Sequence, residues 1–146
     1  MDLRVVIDTN IFISGIFFGG RPRRILNLID KKIITPCFII STYTELEQLL
    51  SHKKFAKQRK FLSFTIQDFL NELKSKSLIF PQPSKIPNLI KEDPFDNYFL
   101  ACALISGANF IISGDKHLLS LKQFQGIPIV SLKEFLKRYK KFLKRK

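Results

Sequence analysis

With 146 residues, 45% of them hydrophobic and 15 of them Phe, the chain is sized for one domain over residues 1–146 with a substantial core, which excludes a disordered protein. No uncharged apolar run reaches ~18 residues and the N-terminus lacks a signal-peptide layout, so a membrane role is not expected and a cytoplasmic location is. The balance of 25 Lys and Arg against 12 Asp and Glu gives a net charge of +13, which favours a polyanionic partner such as nucleic acid.

The first apolar run, Leu3–Ile7, reads as a strand that ends on Asp8, Thr9 and Asn10. Helical periodicity follows over Ile11–Phe18 and Pro22–Lys31, with Arg21, Arg23 and Arg24 clustered after a glycine pair. A second strand at Thr35–Ile40 leads to a helix at Tyr43–Leu50, where Thr42 and Glu45 have the spacing of a capping box. The basic stretch "KKFAKQRK" and helices near Lys54–Leu62 and Ile66–Lys76 form a helical protrusion before a weaker strand at Leu78–Phe80. The loop "PQPSKIP", Pro81–Pro87, is too short to divide domains.

Asp93 followed by Pro94 is the expected N-cap and first residue of a helix over Pro94–Ser106. Strands at Asn109–Ile112 and Ile127–Val130 complete the set, separated by a short helix from Lys116 that Asp115 could cap. Ser131 and Glu134 open a last helix, Leu132–Leu143, whose apolar stripe faces the core and whose basic face runs from Lys133 to Lys146. Cys37 and Cys102 sit in apolar segments as small buried hydrophobes, not as a disulfide or metal site. Continuous apolar strands bounded by helices predict a three-layer α/β/α sandwich around a central parallel sheet of four to five strands.

In such a sheet, ligands bind outside the carboxyl ends of the strands. Asp8, Glu45, Asp96 and Asp115 all lie at or near strand–helix junctions on that edge. Each alone is accounted for by helix capping or the helix dipole. The conjunction is not, because like charges about 5 Å apart repel by roughly 3 kcal/mol per pair at an effective dielectric near 20. A hard divalent cation, Mg²⁺ or Mn²⁺, resolves that repulsion and bridges readily to phosphate.

The segments "VVIDTNIFISGI", "STYTELEQLL", "EDPFDNYFLACALISGANFIISGDKHLL" and "GIPIVSLKEFL" together resemble PIN-domain nucleases, in particular the VapC-like toxin components of prokaryotic toxin–antitoxin pairs. The resemblance implies a Mg²⁺- or Mn²⁺-dependent endoribonuclease whose catalytic, metal-binding acids are Asp8, Glu45, Asp96 and Asp115. It implies hydrogen-bonding support from Asn10 and Ser113, and an accessory acid at Asp93. Glu47 is the fallback for Glu45, and Asn97, where many relatives carry an acid, implies a weakened second metal site. Arg21, Arg23 and Arg24 are placed to contact an RNA strand. An acidic or amphipathic antitoxin and a homodimer through exposed Phe residues of the early helices are the implied partners.

Three rivals stand beside this reading, the weakest a membrane-surface role for the basic C-terminal helix, whose apolar stripe is needed for the core. A non-catalytic RNA-binding protein would keep the fold without turnover. A phosphotransfer domain using Asp8 as nucleophile would want a second aspartate two residues on, where Asn10 stands.

Overall fold

The computed structural model describes residues 3–144, so Arg145 and Lys146 of the basic C-terminal run lie outside the described residues. In chain order the elements are β1 (Arg4–Ile7), α1 (Thr9–Phe17), α2 (Arg21–Asp30), β2 (Thr35–Ile39), α3 (Ile40–Leu50), a 3₁₀ turn (Lys53–Phe55), α4 (Ala56–Lys60) and α5 (Ile66–Ser75). There follow β3 (Leu78–Phe80), α6 (Asp96–Ser106), β4 (Phe110–Ile112), α7 (Lys116–Leu119), β5 (Gln123–Phe124), β6 (Ile127–Val130) and α8 (Leu132–Lys144).

Six strands form one sheet in the order β3-β2-β1-β4-β6-β5. Five of them run parallel, and β5 pairs antiparallel with β6 at the edge. The expected four to five parallel strands are therefore present, and the sixth strand is a correction. β5 is only two residues, "QF", with no apolar run to betray it. It forms as half of a hairpin whose turn, Gln125–Gly126, holds both residues at positive φ, as the tightest hairpin turns require.

Successive strand residues feed two separate cores. Val5 and Ile7 of β1, Phe38 of β2, Phe110 and Ile112 of β4 and Val130 of β6 face one side, against α1, α2, α3, α5 and α8. Val6, Cys37, Ile39, Ile111 and Ile129 face the other, against α6 and α7. Both faces of the sheet are covered, which is why these strands read as continuous hydrophobic runs and not as alternating ones. On α8 the predicted apolar stripe is in place: Phe135 and Tyr139 are buried, with Leu132, Leu136, Phe142 and Leu143 packed beside them. Both cysteines are free and buried. Among the described residues, no helix is long and apolar enough to cross a membrane.

Three helix starts differ from expectation, and each difference changes what an acid is available for. α1 begins at Thr9, because the Asp8 carboxylate accepts the Asn10 N–H at 3.1 Å and is itself the N-cap. α3 begins at Ile40, because the Thr42 hydroxyl turns back on Ile39, accepting its N–H at 3.0 Å. The predicted capping box with Glu45 is not formed. α6 begins at Asp96, after a tight turn closed by the Asp96 N–H on the Asp93 carbonyl at 3.0 Å. Among the described residues, the Asp93 carboxylate accepts no backbone N–H and does not cap that helix.

From β1 the chain builds β2 and β3 on one side, then returns to place β4 and β6 on the other. The direction of strand order thus reverses between β1 and β4. The helices after these strands leave to opposite faces, with Phe12 of α1 in one core and Leu118 of α7 in the other. A crevice opens at such a switch point on the carboxyl edge.

α1 and α2 pack closely at Gly15, where an added Cβ would lie 3.0 Å from the Pro22 carbonyl oxygen and 3.1 Å from Leu26 Cδ1. Gly15→Val is expected to separate the two helices and cost about 1–3 kcal/mol of stability, read as a lower urea midpoint. An unchanged midpoint would show that the helix pair yields freely at this contact.

Candidate active site

Asp8 stands at the crevice because β1 ends there. Its N–H continues the ladder to the Ile112 carbonyl at 2.9 Å. One carboxylate oxygen caps α1, and the other accepts the Ser113 hydroxyl at 2.7 Å. Ser113 is fully buried just past β4, and its Oγ also accepts the Asp115 N–H at 2.9 Å. A single serine thus ties the end of β1 to the loop after β4. Asp115 in turn caps α7 through the His117 N–H at 2.7 Å, as expected.

Glu45, released from helix capping, accepts the Thr9 hydroxyl at 2.6 Å. That bond joins the first turn of α1 to α3 and orients the carboxylate. Glu47 instead faces Tyr43, whose hydroxyl pKa is raised chiefly by burial and further by Glu47.

Asp96 opens α6, is only 4% exposed, and has an Oδ2 atom that is buried without a hydrogen-bond partner among the described residues. Oxygens of Asp93, Asp96 and Asp115 all lie within 4.8 Å of one another. The tightest group is therefore this trio, with Asp8 and Glu45 in the same electrostatic field. Asp93, expected as an accessory, sits at the centre. Its position after Glu92 and before Pro94 read as a helix cap, and the bent turn that frees it leaves no separate signal in the sequence.

The electrostatics follow from crowding and burial. Burial raises the Asp96 pKa from the ordinary 3.8 to about 8, reinforced by Asp115, Asp93 and Asp8, and by a hydrogen bond to Asp115. Asp8 is raised first by burial, against the lowering effects of Ser113 and the Asn10 N–H, with Asp115 and Asp93 adding to the rise. Glu45 is raised by burial, with Asp8 and Asp93 adding and the Thr9 bond opposing. Among the described residues, the ion pairs are those of Lys76 with Asp30 and Glu72, and none of the five carboxylates has one.

An all-carboxylate donor set with an orphaned buried oxygen and no basic partner fits a hard divalent cation. Asp93, Asp96 and Asp115 are the residues that could hold it. A proton on Asp96 is the alternative way to relieve the same repulsion.

The supporting residues divide differently from expectation. Ser113 makes the hydrogen bond foreseen for it. The Asn10 side chain is exposed, and that residue contributes through its backbone N–H. Thr9 does the side-chain work, a role hidden because a threonine after a strand reads as an ordinary helix start. Asn97 was also missed as a structural residue. Its Oδ1 accepts the N–H groups of Leu89 and Ile90, both at 3.0 Å. Its Nδ2 donates to the carbonyls of Ile90 and Pro94 at 2.8 and 3.0 Å. A carboxylate could not make the last two bonds, so Asn97 clamps the loop that carries Asp93.

Arg23 also departs from expectation. Its guanidinium donates to the carbonyls of Gly15 and Ile16 at 3.0 and 3.2 Å, tying α2 to the end of α1. Arg21 and Arg24 are exposed at the start of α2.

Comparison with known proteins is consistent with this geometry. Residues 4–117, a stretch that includes all five acids, match the family described as "PIN domain". The chain is 31% identical to the uncharacterized protein MJ1680 of Methanocaldococcus jannaschii, over 97% of this chain and 94% of that one. The fold is similar to the crystal structure of PAE2754 from Pyrobaculum aerophilum, with a TM-score of 0.54 at 14% identity, covering 95% of this chain and 90% of that one.

With its pKa near 8 in the folded state against 3.8 ordinarily, Asp96 keeps a proton that the unfolded chain has lost. Its contribution to stability therefore declines as pH rises through that window, and a cation bound in place of the proton offsets the decline most at the upper end. Thermal melts without metal are expected to fall more steeply with pH for wild type than for Asp96→Asn. Added Mn²⁺ is expected to raise the wild-type Tm increasingly toward pH 8. Parallel pH profiles for the two proteins would contradict this assignment.

Proposed function

The chain belongs to the PIN-domain family, and from that premise we propose that it is a metal-dependent endoribonuclease acting in the cytoplasm at the Asp8, Glu45, Asp93, Asp96 and Asp115 cluster. The observation that carries the reading is Asp96: a buried carboxylate with an orphaned oxygen, surrounded by like charges, in a chain of net charge +13. An acidic pocket in a basic body suits a reaction that draws in a polyanion and neutralises charge at one phosphate.

When bound, Mg²⁺ or Mn²⁺ would supply an activated water and stabilise the charge that develops on the phosphate. The chain's own contribution is positioning. Asp93, Asp96 and Asp115 would supply the ligand oxygens, and the Asn97 clamp fixes the loop that brings Asp93 to them. Asp8 is held by Ser113 and the Asn10 N–H, and Glu45 by Thr9, so each presents an acceptor in a set direction. Glu45, with its pKa raised by burial, is suited to accept a proton from the attacking water. Exposed lysines and arginines gather the strand and make binding steeply salt-dependent.

A role as the toxin of a toxin–antitoxin pair belongs to the same proposal and rests on the sequence resemblance and the basic charge. An acidic or amphipathic antitoxin would neutralise that surface. A homodimer would use the early helices, where Phe18 is 64% exposed.

Labelled single-stranded and hairpin RNAs, with DNA controls, are to be incubated with Mn²⁺ or Mg²⁺ and separated on gels. Wild type is expected to cut RNA only when metal is present and to stop on EDTA addition. Asp8→Asn and Asp96→Asn are expected to lose at least the ~100-fold typical of disrupting a metal centre's supporting shell. RNA that binds but is never cut with either metal would favour the non-catalytic binding protein.

A further inference from the structure

Beside the carboxylates lies an open cavity of about 520 Å³ whose chemistry is different. It shares Glu45 with the acidic cluster, and its aromatic wall, Phe95, is the residue immediately before Asp96. Among the described residues no Lys or Arg lines it, although the chain is rich in both. It is therefore unsuited to a phosphate. Its remaining polar lining consists of uncharged groups from Ser41, Thr44, Gln48 and Gln82.

Two features indicate a ligand with hydrogen-bonding edges and a flat face. Phe95 packs against Tyr98 and Phe99, with ring centroids at 4.9 and 5.8 Å, and so offers a supported aromatic platform. Across from it, Ile40 is 53% exposed. The polar groups are meanwhile incompletely used. The Ser41 hydroxyl is buried without a partner among the described residues. The Gln82 Oε1 accepts the Ser41 N–H at 2.9 Å, which fixes the amide and leaves its NH₂ without a partner among the described residues.

We propose that this cavity binds one unpaired nucleobase of the RNA next to the bond being cut, stacked on Phe95 and read by Gln82 and Gln48. The proposal rests on the nuclease reading of the adjoining site and adds a specificity determinant to it. A base in a duplex cannot enter a cavity of this kind, whereas a single-stranded base can be splayed out, stacked on an aromatic ring and recognised along its edge. With its Oε1 engaged by the Ser41 N–H, the Gln82 amide presents its NH₂ as a donor, which favours the carbonyl-bearing edges of guanine and uracil over adenine.

Two measurements test this independently. In the first, single-stranded RNA carrying 5-iodouridine at successive positions is photo-crosslinked, without added metal, to Asp96→Asn, which resembles the protonated acid and is expected to leave the RNA uncut. Mass spectrometry is expected to map a crosslink to Phe95 from one position in the strand. Crosslinks confined to the basic helices would overturn the proposal. In the second, a randomised RNA library is cut by wild type, Gln48→Ala and Gln82→Ala. Wild type is expected to favour guanine or uracil at one position flanking the cut, and the glutamine variants to reduce that preference about tenfold, the worth of one good base contact. A wild-type profile with no such preference, or variants that retain it, would overturn the proposal. Failure of wild type to cut any RNA would instead count against the nuclease reading, and the crosslink would still decide whether a base enters the cavity.

Discussion

Parallel pairing of β1 with β4 sets Ile7 opposite Ile112, and the hydrogen bond from the Asp8 N–H to the Ile112 carbonyl carries that register one residue past the strand. Everything at the site depends on it. The register puts Asp8 beside Ser113, and through Ser113 beside Asp115. Slipping β1 by one residue would exchange Val6 with its neighbours between the two cores and turn Asp8 away from the crevice. The apolar residues that hold the register, Val5 and Ile7 in one core and Val6 in the other, thus also position the chemistry.

Packing of this kind forces carboxylates together that would separate in solution. Asp96 shows the consequence most plainly: its helix buries against the sheet and leaves one oxygen without a partner among three neighbouring acids. Folding alone does not relieve that repulsion, and among the described residues no basic side chain pairs with these acids, despite the excess of them. A proton or a cation must complete the site. In the proposed function the basic residues act from the outside, at longer range, on a polyanion. The uncharged cavity next to Glu45 lies between these two electrostatic regimes, and recognition there depends on shape and hydrogen bonding.

Much of this was legible in the sequence, for a physical reason. Strands covered on both faces must be apolar along their length, so β1, β2, β4 and β6 announce themselves, and the acids that follow them fall at junctions. What the sequence hid were choices between alternative hydrogen bonds. Thr42 could have paired with Glu45 and instead bonds Ile39; Asp93 could have capped α6 and instead joins Asp96 and Asp115. Arg23 looked like a free cation and is tied to two carbonyls at the end of α1. Asn97 looked like a lost acid and is a four-bond clamp. In each case the local motif permits two partners, and only the tertiary arrangement selects one. β5 was invisible because a two-residue strand has no pattern of its own.

The central claim is that a divalent cation replaces a proton at Asp96. Its most direct test is calorimetric titration of the protein with Mn²⁺ at pH 7, repeated in buffers of different ionisation enthalpy, so that protons released on binding are counted. Binding with release of about one proton, vanishing in Asp96→Asn, is the expected result. Binding without proton release, or no binding at all, would contradict the account.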